Sequence, residues 1–237
     1  MPADKNSPSL IAFPVITVDG PSGSGKGTIC QRLASRYGFH LLDSGALYRL
    51  TALAAITQGL DLEDADEVAK AAKTMKVEFL PGAKGIRVLL EGEEVTDAIR
   101  KEEIGMGAST VAAHQSVRAA LLDLQKDFQK SPGLVADGRD MGTVVFPNAE
   151  AKIFLTASAA ERAQRRYKQL LEKGESVSLR ALLKDIEARD ERDSQRAVSP
   201  LKPAEDALLL DSTTMSIDDV VEQASLYIDA KGLVPVT

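Results

Sequence analysis

The sequence predicts an α/β fold in which a parallel sheet carries helices on both of its faces. Short apolar runs alternate with segments of helical periodicity along the 237 residues, an alternation that is typical of parallel sheets. The residues are 44% hydrophobic and 27% charged, so the chain can build a sizeable core. Polar clusters follow the apolar runs, where parallel sheets place their ligands. We therefore expect a binding site at the carboxyl ends of the strands.

The first strand and the first helix lie on either side of a glycine-rich segment. Residues 15–18 are all β-branched and lie between Pro14 and Gly20, a pattern that predicts a central strand. Apolar side chains then recur at every fourth position, which predicts a helix over residues 26–37.

A second strand follows this helix directly. Residues 39–42 form a short apolar run that ends at Asp43 and Ser44. Ser44 is expected to be the N-cap of the next helix, which Gly59 closes. Three later apolar runs complete a predicted sheet of five parallel strands: residues 134–136, 153–155 and 207–210.

The segment between the second strand, residues 39–42, and the third, residues 134–136, does not continue the alternation of strand and helix. A polar-faced helix is expected from residue 61 to about residue 75. From residue 77 to residue 95, short apolar runs are divided by glycine and proline, which predicts a small antiparallel meander. Helical patterns return from about residue 102 to residue 130. We therefore predict that residues 61–125 are an insertion into the core.

The composition excludes several classes of protein. A net charge of −6 argues against general nucleic-acid binding. The single cysteine, Cys30, allows no disulfide framework, and two histidines far apart, His40 and His114, predict no zinc site. No apolar stretch approaches the length of a membrane span, and the N-terminal residues lack a signal-peptide pattern. We expect a cytoplasmic protein with no membrane partner.

Residues 20–28 read GPSGSGKGT and carry the signature of a phosphate-binding loop. They follow a predicted strand and open a predicted helix, which is the context that this motif requires. Glycines let successive N–H groups turn toward phosphate oxygens, and the helix N-terminus adds its positive dipole end. Lys26 supplies a point charge for the β- and γ-phosphates. The residues expected to bind the phosphates are Gly20, Pro21, Ser22, Gly23, Ser24, Gly25, Lys26, Gly27 and Thr28.

One position departs from the commonest form of this loop. The residue after the lysine, usually a serine or threonine that binds magnesium, is Gly27, and the hydroxyl lies at Thr28 instead. Magnesium gives up its water reluctantly. We therefore expect Mg²⁺ as a cofactor that is held mainly by phosphate oxygens and water, with no metal site made of side chains.

Two other classes of phosphate-loop protein fit the sequence less well. A GTPase switch would carry Asn-Lys-x-Asp, but the only asparagines, Asn6 and Asn148, are not followed by lysine. An ATP-driven motor or transporter subunit would carry an apolar strand that ends in Asp-Glu, and Asp137 is followed by Gly138. Both signatures are absent from the sequence.

The arginines favour a kinase of small molecules. Phosphoryl transfer between two anions needs positioning and charge stabilisation more than a general base, and arginine holds phosphate through two parallel hydrogen bonds. Capping boxes are predicted at Ser158-x-x-Glu161, which opens a charged helix, and at Ser216-x-x-Asp219. A solvated helix with i,i+4 ion pairs is the alternative to a mobile lid that carries arginines. Seven arginines follow Glu161: Arg162, Arg165, Arg166, Arg180, Arg189, Arg192 and Arg196.

Five segments match one family in their order along the chain. They are residues 20–28, 41–49 (LLDSGALYR), 136–147 (ADGRDMGTVVFP), 189–193 (RDERD) and 210–214 (LDSTT). The second and third segments are far more specific than the phosphate loop. On these motifs the sequence closely resembles the bacterial cytidylate kinases, of the nucleoside monophosphate kinase group, over nearly everything from residue 14 onward.

The resemblance implies a P-loop nucleoside monophosphate kinase fold in three parts. Residues 13–60 and 126–237 would form the core with its parallel five-stranded sheet, and a helical lid would span about residues 157–200. Residues 61–125 would form the monophosphate-binding insertion with its small antiparallel sheet, and residues 1–12 a tail. The implied enzyme is a (d)CMP kinase: a monomer that transfers a phosphoryl group from ATP to CMP or dCMP with Mg²⁺. A kinase of another nucleoside monophosphate or small metabolite, or a nucleotide-binding switch, remains the alternative.

The resemblance also assigns roles around the phosphates. Arg49, Arg139 and Arg196 would hold the acceptor phosphate, with Ser44 beside them. The groups expected to stabilise the phosphoryl in transfer are Lys26, Arg139, Arg162, Arg166, Arg189 and Arg196, of which Arg162 and Arg166 belong to the lid.

The same motifs imply contacts with the ribose and the base. Arg189 and Asp193 would contact the acceptor ribose, and Ser109, Arg118 and Asp140 would recognise the base. A carboxylate can accept a hydrogen bond from the amino group of cytosine, whereas uracil would present an oxygen to it. UMP is therefore predicted to be a poorer substrate than CMP. Two further residues of these motifs are expected beside the substrate: Tyr48 and Asp137.

Overall fold

The computed structural model describes residues 13–82 and 85–235. The predicted tail, residues 1–12, lies outside the described residues. The strands are β1 (Val15–Asp19), β2 (His40–Asp43), β3 (Val77–Gly82), β4 (Gly85–Leu90), β5 (Glu93–Glu94), β6 (Leu134–Gly138), β7 (Ala151–Thr156) and β8 (Leu208–Asp211). The helices are α1 (Lys26–Tyr37), α2 (Ser44–Thr57), α3 (Ala65–Thr74), α4 (Glu102–Val111), α5 (Gln115–Lys126), α6 (Ala159–Glu172), α7 (Leu179–Ser194) and α8 (Ile217–Ala230).

The large sheet is parallel and five-stranded, with the order β2-β6-β1-β7-β8. Its central strand, β1, is buried along its whole length, which explains why its sequence is apolar without alternation. Ile16 and Val18 pack on one face with α1 and α8. Val15 packs on the other face in a cluster that includes α2 and the inserted segment. The predicted α/β fold and all five predicted strands of the sheet are confirmed.

The parallel strands bring their carboxyl ends to one edge of the sheet. Asp19 ends β1 beside Gly138 of β6, and Asp43 ends β2 beside Asp137. On the other side of β1, β7 and β8 end together at Thr156 and Asp211. The polar clusters of the sequence therefore meet at this edge.

The segment between α2 and β6 contains the predicted meander. β3, β4 and β5 form an antiparallel three-stranded sheet. The helical pattern after it is divided into α4 and α5, which pack against α2 and α3 respectively. Val68, Val88 and Ile99 belong to the same buried cluster as Leu50 of α2. The inserted segment therefore shares its apolar packing with the core helix that precedes it.

Three local expectations need correction. The N-cap of α2 is Asp43, not Ser44: the Asp43 backbone is extended, and its side chain accepts from the Ala46 N–H at 3.0 Å. Ser158 caps α6 through the Glu161 N–H, but only Ser216 shows both halves of a capping box. The spacing of Arg189, Asp193 and Arg196 predicts that they share one helix face, but α7 ends at Ser194 and Arg196 lies beyond it. Within the described ranges, no helix is both long and apolar enough to cross a membrane.

Candidate active site

A cavity of about 740 Å³ opens at the carboxyl ends of the strands. One wall is the phosphate loop, residues 22–28, and the opposite wall comes from α2, α4 and α5. The end of β6 and the two residues after it, 137–140, also line the cavity, together with arginines of α6 and α7. This is the place where an open parallel sheet binds its ligand.

The phosphate loop takes its shape from glycine at two positions. Gly20 has a φ of 151°, and a Cβ there would lie 2.0 Å from the Leu155 carbonyl oxygen, so no side chain fits. Gly25 is left-handed, with a φ of 95°, and is the N-cap of α1. The strand therefore turns directly into the helix, whose first N–H groups point toward the cavity.

Lys26 is held inside this loop. It is 8% exposed, and its Nζ donates to the Pro21 carbonyl oxygen at 2.8 Å. Burial lowers the pKa of Lys26, an effect that the Asp137 carboxylate opposes. Burial conversely raises the pKa of Asp137, against the attraction of Lys26. The ammonium group is therefore poorly compensated, a condition that favours an anionic ligand.

Asp193 organises two arginines on the side of the cavity where the acceptor phosphate is predicted to bind, which we call the acceptor side. Its side chain is fully buried and forms ion pairs with both Arg139 and Arg196. Burial opposes ionisation, but the two guanidinium groups prevail and hold the pKa of Asp193 below its ordinary value. The two guanidinium groups thus converge on one carboxylate, which fixes their position before any ligand arrives.

Two arginines of the cavity wall have no such partner. Among the described residues, Arg49 and Arg189 form no ion pair. Arg49 donates to the Ile99 carbonyl oxygen at 2.9 Å, and the Nε atom of Arg189 is buried without a hydrogen-bond partner. Burial and the proximity of Arg139 lower the pKa of Arg189 to about 10. Nearby carboxylates attract both groups but do not outweigh burial, so this part of the cavity carries incompletely compensated positive charge.

The far end of the acceptor side combines hydrogen-bonding groups with an aromatic ring. Arg118 pairs with Asp140, which is 3% exposed, and its guanidinium lies 5.5 Å from the centre of the Tyr48 ring. The Ser109 hydroxyl is buried and has no partner in the described residues. An unpaired buried hydroxyl is costly, so this end is suited to a polar ring that supplies the missing hydrogen bond.

The two predicted lid arginines differ in their contacts. Arg162 is 3% exposed and donates to Asp190 of α7, to the Ser22 carbonyl oxygen at 3.1 Å and to the Ala157 carbonyl oxygen at 2.9 Å. Arg166 forms an exposed pair with Glu102 of α4 at 3.1 Å. Arg162 thus ties the phosphate loop to α6 and α7, whereas Arg166 bridges α6 to the inserted segment.

A second cavity, of about 680 Å³, separates α6 and α7 from the inserted segment. It shares Arg49, Arg166 and Arg189 with the first cavity. The two helices therefore have room to approach the insertion without displacing packed side chains.

Sequence reasoning missed three residues of the site. Arg165, one of the seven arginines but given no role, donates to the Ser212 carbonyl oxygen at 2.6 Å and lines the donor end of the cavity. Asp190 holds Arg162, and Asp19 accepts two backbone N–H groups behind the phosphate loop. The sequence could have indicated Arg165, because it lies one helical turn after Glu161 and pairs with it. The roles of the two aspartates depend on contacts between distant segments, which spacing alone does not predict.

Most of the predicted site residues line this one cavity. Those that line it are Ser22, Gly23, Ser24, Gly25, Lys26, Gly27, Thr28, Ser44, Tyr48, Arg49, Ser109, Arg118, Asp137, Arg139, Asp140, Arg162, Arg166, Arg189 and Arg196. Gly20 and Pro21 shape the loop from behind, and Asp193 lies beneath the arginines. The roles assigned to these residues stay predictions, and the ribose contact of Asp193 would require its carboxylate to become exposed.

The side chains around Lys26 contain no preformed metal cage. Within residues 13–82 and 85–235, no group of three or more His, Cys, Asp or Glu side chains is placed to hold a metal ion. Asp137 Oδ2 would lie 3.8 Å from a Cβ at Gly27, so a carboxylate adjoins the position that carries the magnesium ligand in the commoner loop. Thr28 and Asp137 both line the cavity, and such oxygen donors suit a magnesium ion that retains water.

Comparison with known proteins agrees with this geometry. A sequence model of the cytidylate kinase family matches residues 16–230. The cytidylate kinase of Vibrio cholerae serotype O1 is 61% identical over 218 residues, which are 92% of this chain and 97% of that protein. The cytidylate kinase of Pseudomonas fluorescens is 62% identical over 212 residues, which are 89% and 93% of the two chains.

A solved structure supports the fold alone. An uncharacterized protein from Eubacterium ventriosum is 11% identical and superimposes with a TM-score of 0.51, over 92% of this chain and 99% of that one. The sequence matches are far stronger, since they cover nearly the whole chain at about three-fifths identity. They show that the chain belongs to the cytidylate kinase family.

Proposed function

We propose that this protein transfers the γ-phosphoryl group of ATP to CMP, and to dCMP, to form the nucleoside diphosphate. The observation that carries the proposal is one cavity in which a phosphate loop faces two arginines, Arg49 and Arg189, that form no ion pair among the described residues. Two polyanionic nucleotides repel each other, and a cationic site lowers the cost of bringing them together. The name shared by the relatives supports CMP as the acceptor.

The reaction needs little proton chemistry. An anionic oxygen of the CMP phosphate forms a bond to the γ-phosphorus of ATP, while the bond from that phosphorus to the β,γ-bridging oxygen breaks and ADP leaves. Because the attacking oxygen already carries charge, catalysis depends on alignment and on stabilising charge on the phosphoryl oxygens. Lys26 and the converging guanidinium groups of Arg139, Arg189 and Arg196 would supply that charge. Arg166 would join them when the lid closes.

The donor nucleotide would lie along the phosphate loop. Its phosphates would receive the N–H groups of residues 22–28, and its base would lie at the end lined by Arg165, Ser212 and Ile217. When Mg²⁺ is bound it neutralises phosphate charge, and Thr28 and Asp137 are the side chains that would adjoin it. The other ligands would be phosphate oxygens and water.

The acceptor nucleotide would place its base against Ser109, Arg118 and Asp140. The Asp140 carboxylate can accept from the 4-amino group of cytosine, and the unpaired Ser109 hydroxyl offers one more hydrogen bond. Uracil would present an acceptor to an acceptor. A site built around a specific hydrogen bond rejects the analogue that lacks it, so we expect a markedly lower kcat/KM for UMP.

A three-part organisation would serve this chemistry. We propose a core of residues 13–60 and 126–237, a monophosphate-binding insertion of residues 61–125, and a lid of about residues 157–200 that closes the second cavity. We further propose that the enzyme acts as a cytoplasmic monomer in nucleotide supply and binds no nucleic acid.

The test is a panel of acceptors with ATP and Mg²⁺. ADP formation is measured with CMP, dCMP, UMP, AMP and GMP, each against a sample without acceptor. We expect the highest kcat/KM with CMP and a value for UMP that is lower by about tenfold or more. Equal values for CMP and UMP would remove Asp140 from base recognition. Hydrolysis that no acceptor stimulates would contradict the proposal and favour a nucleotide-binding switch.

A further inference from the structure

Asp19 occupies the junction between the two halves of the site. It is the last residue of β1, directly before the phosphate loop, and is 5% exposed. Its Oδ1 accepts the Met141 N–H and its Oδ2 accepts the Gly142 N–H, both at 2.8 Å. It does not line the cavity. Asp19 therefore touches neither nucleotide site but joins the segments that form them.

The two N–H groups belong to the residues that follow Asp140. Met141–Val145 is a single π-helical turn, and Asp140 immediately precedes it with a φ of −143° and a ψ of 21°. Because successive residues are rigidly linked, the carboxylate that fixes the Met141 and Gly142 amides also limits where the Asp140 side chain can point. Asp140 pairs with Arg118 at the base end of the cavity.

The backbone at Gly142 packs too closely against β1 to accept a side chain. A Cβ at Gly142 would lie 2.8 Å from Thr17 Oγ1 and 3.3 Å from Asp19 Oδ2. The Thr17 hydroxyl is itself buried without a partner in the described residues. The turn therefore lies directly against β1, and the absence of a side chain at residue 142 allows the two hydrogen bonds.

The choice of a carboxylate at this place has a cost. Burial raises the pKa of Asp19 to about 6, although the two backbone N–H groups lower it. Asp140 raises it further and Lys26 lowers it. A neutral side chain would be cheaper to bury, but no neutral side chain offers two acceptor oxygens to two adjacent N–H groups. The buried charge is thus matched to the geometry of the turn.

We propose that Asp19 is a positioning residue for acceptor recognition: it holds the turn after Asp140 in register with the phosphate loop and thereby sets the preference for cytosine over uracil. This inference rests on the proposed function, since it takes CMP as the acceptor. It assigns to Asp19 no contact with either nucleotide.

Two variants disturb the contact between β1 and the turn after Asp140, one at each of its two sides. Asp19→Asn replaces one acceptor oxygen by an amino group that faces a backbone donor, and Gly142→Ala forces the turn away from Thr17 and Asp19. The control is Glu150→Gln, because Glu150 accepts the Val15 N–H at 2.7 Å at the opposite end of the same strand. In each purified protein, kcat and KM are measured for CMP, UMP and ATP, together with thermal unfolding.

We expect the ratio of kcat/KM for CMP to that for UMP to fall by about tenfold or more in both Asp19→Asn and Gly142→Ala, mainly through the KM for CMP. The KM for ATP should change far less, and Glu150→Gln should keep the ratio. Lower thermal stability with an unchanged ratio would overturn the proposal. If Asp19→Asn fails to fold, Gly142→Ala decides in the same way. The wild-type protein is assayed first, so a failure to phosphorylate CMP would count against the proposed function and not against the role of Asp19.

Discussion

The predicted donor and acceptor ends of the cavity present positive charge in different ways. At the donor end, backbone N–H groups and one lysine lie within residues 20–28. At the acceptor end, side-chain guanidinium groups come from α2, the segment after β6, and α7 with the residues that follow it. The first arrangement is local in sequence, whereas the second is assembled from across the chain, and the buried carboxylate of Asp193 holds two of its members, Arg139 and Arg196.

This difference determines which substitutions can impair anion binding at each end. Substitutions other than proline leave the backbone N–H groups in place, so the donor end depends on Lys26 and on the shape that glycine permits. The guanidinium groups can be removed one at a time. Removal of Arg139 or Arg196 also takes an ion-pair partner from buried Asp193, whereas Arg189 forms no ion pair among the described residues. Loss of activity and loss of stability should therefore be separable at the acceptor end.

The largest effect is expected from Lys26→Met. The substitution removes the only lysine of the loop, and we expect kcat to fall by about 10²–10³-fold with a much smaller change in the KM for CMP. The protein should remain folded, because Asp137 has a raised pKa and can take up a proton when its cationic neighbour is lost. Steady-state kinetics and circular dichroism measure the two effects.

Lys184→Met provides the control for this variant. Lys184 is an exposed lysine of α7 that lines neither cavity, so the same change in side chain should leave kcat unaltered. A folded Lys26→Met protein with wild-type turnover would show that the backbone amides of the donor end are sufficient without the ammonium charge.

Arg189 and Arg196 allow the two roles of the acceptor end to be separated. We expect kcat/KM for CMP to fall by about 10²-fold in both Arg189→Met and Arg196→Met. Unfolding in urea without nucleotide should distinguish them. Arg189→Met removes an incompletely compensated charge and should raise the free energy of unfolding by about 1 kcal/mol. Arg196→Met leaves Asp193 with a single partner and should lower it by about 1–3 kcal/mol.

The matched control is Arg180→Met, which changes an exposed arginine of α7 outside both cavities. It should alter neither kinetics nor stability. If Arg189→Met is destabilised as strongly as Arg196→Met, the charges of the two guanidinium groups are compensated to the same extent by their surroundings. The proposed difference between Arg189 and Arg196 would then be wrong.

The donor end was predictable from the sequence because its signal is contiguous. Residues 20–28 lie between a β-branched run and a helical pattern, and the structure has β1 and α1 at those positions. The sequence signals for the five strands and the meander are contiguous in the same way. Ser44 was wrong as an N-cap because Asp43, also a good capping residue, has the extended backbone that a cap requires.

The acceptor end could be predicted only through the family resemblance. Nothing in the spacing of Arg139, Asp193 and Arg196 indicates that one carboxylate holds both arginines. Asp19 and Asp190 were missed for the same reason: their partners lie 122 and 28 residues away in the sequence. Such contacts depend on how β1, β6, α6 and α7 pack, and no local pattern encodes that packing.

The contribution of Asp19, at the junction between the two ends, to the free energy of unfolding should depend on pH. Asp19 has a pKa of about 6 in the folded protein and an ordinary value of 3.8, so it stabilises the fold fully at low pH and loses this contribution as pH rises through about 6. Between about pH 4 and pH 7, the unfolding free energy of the wild type should fall relative to Asp19→Asn by about 2–3 kcal/mol. Urea unfolding of both proteins across this range measures the difference, in which the titrating groups that do not interact with Asp19 cancel. Parallel curves would place the folded pKa of Asp19 near its ordinary value.

The smallest effect is expected where the lid meets the insertion. Arg166 and Glu102 form an ion pair at 3.1 Å, with side chains that are 32% and 63% exposed, and such a pair contributes about 0–1 kcal/mol. Glu102→Gln should therefore change the unfolding free energy by less than about 0.5 kcal/mol. Because the Arg166 guanidinium must leave Glu102 to reach a phosphate, kcat/KM should stay the same or rise by up to about twofold.

Glu103→Gln is the matched control, since Glu103 shares the exposed first turn of α4 and its helix dipole but pairs with no cation in the described residues. The two variants should have equal stability and differ only in the salt dependence of kcat/KM. A tenfold fall in kcat/KM for Glu102→Gln alone would mean that the pair holds Arg166 in its working position. Arg166 would then resemble Arg139 and Arg196, which Asp193 holds in place before any substrate arrives.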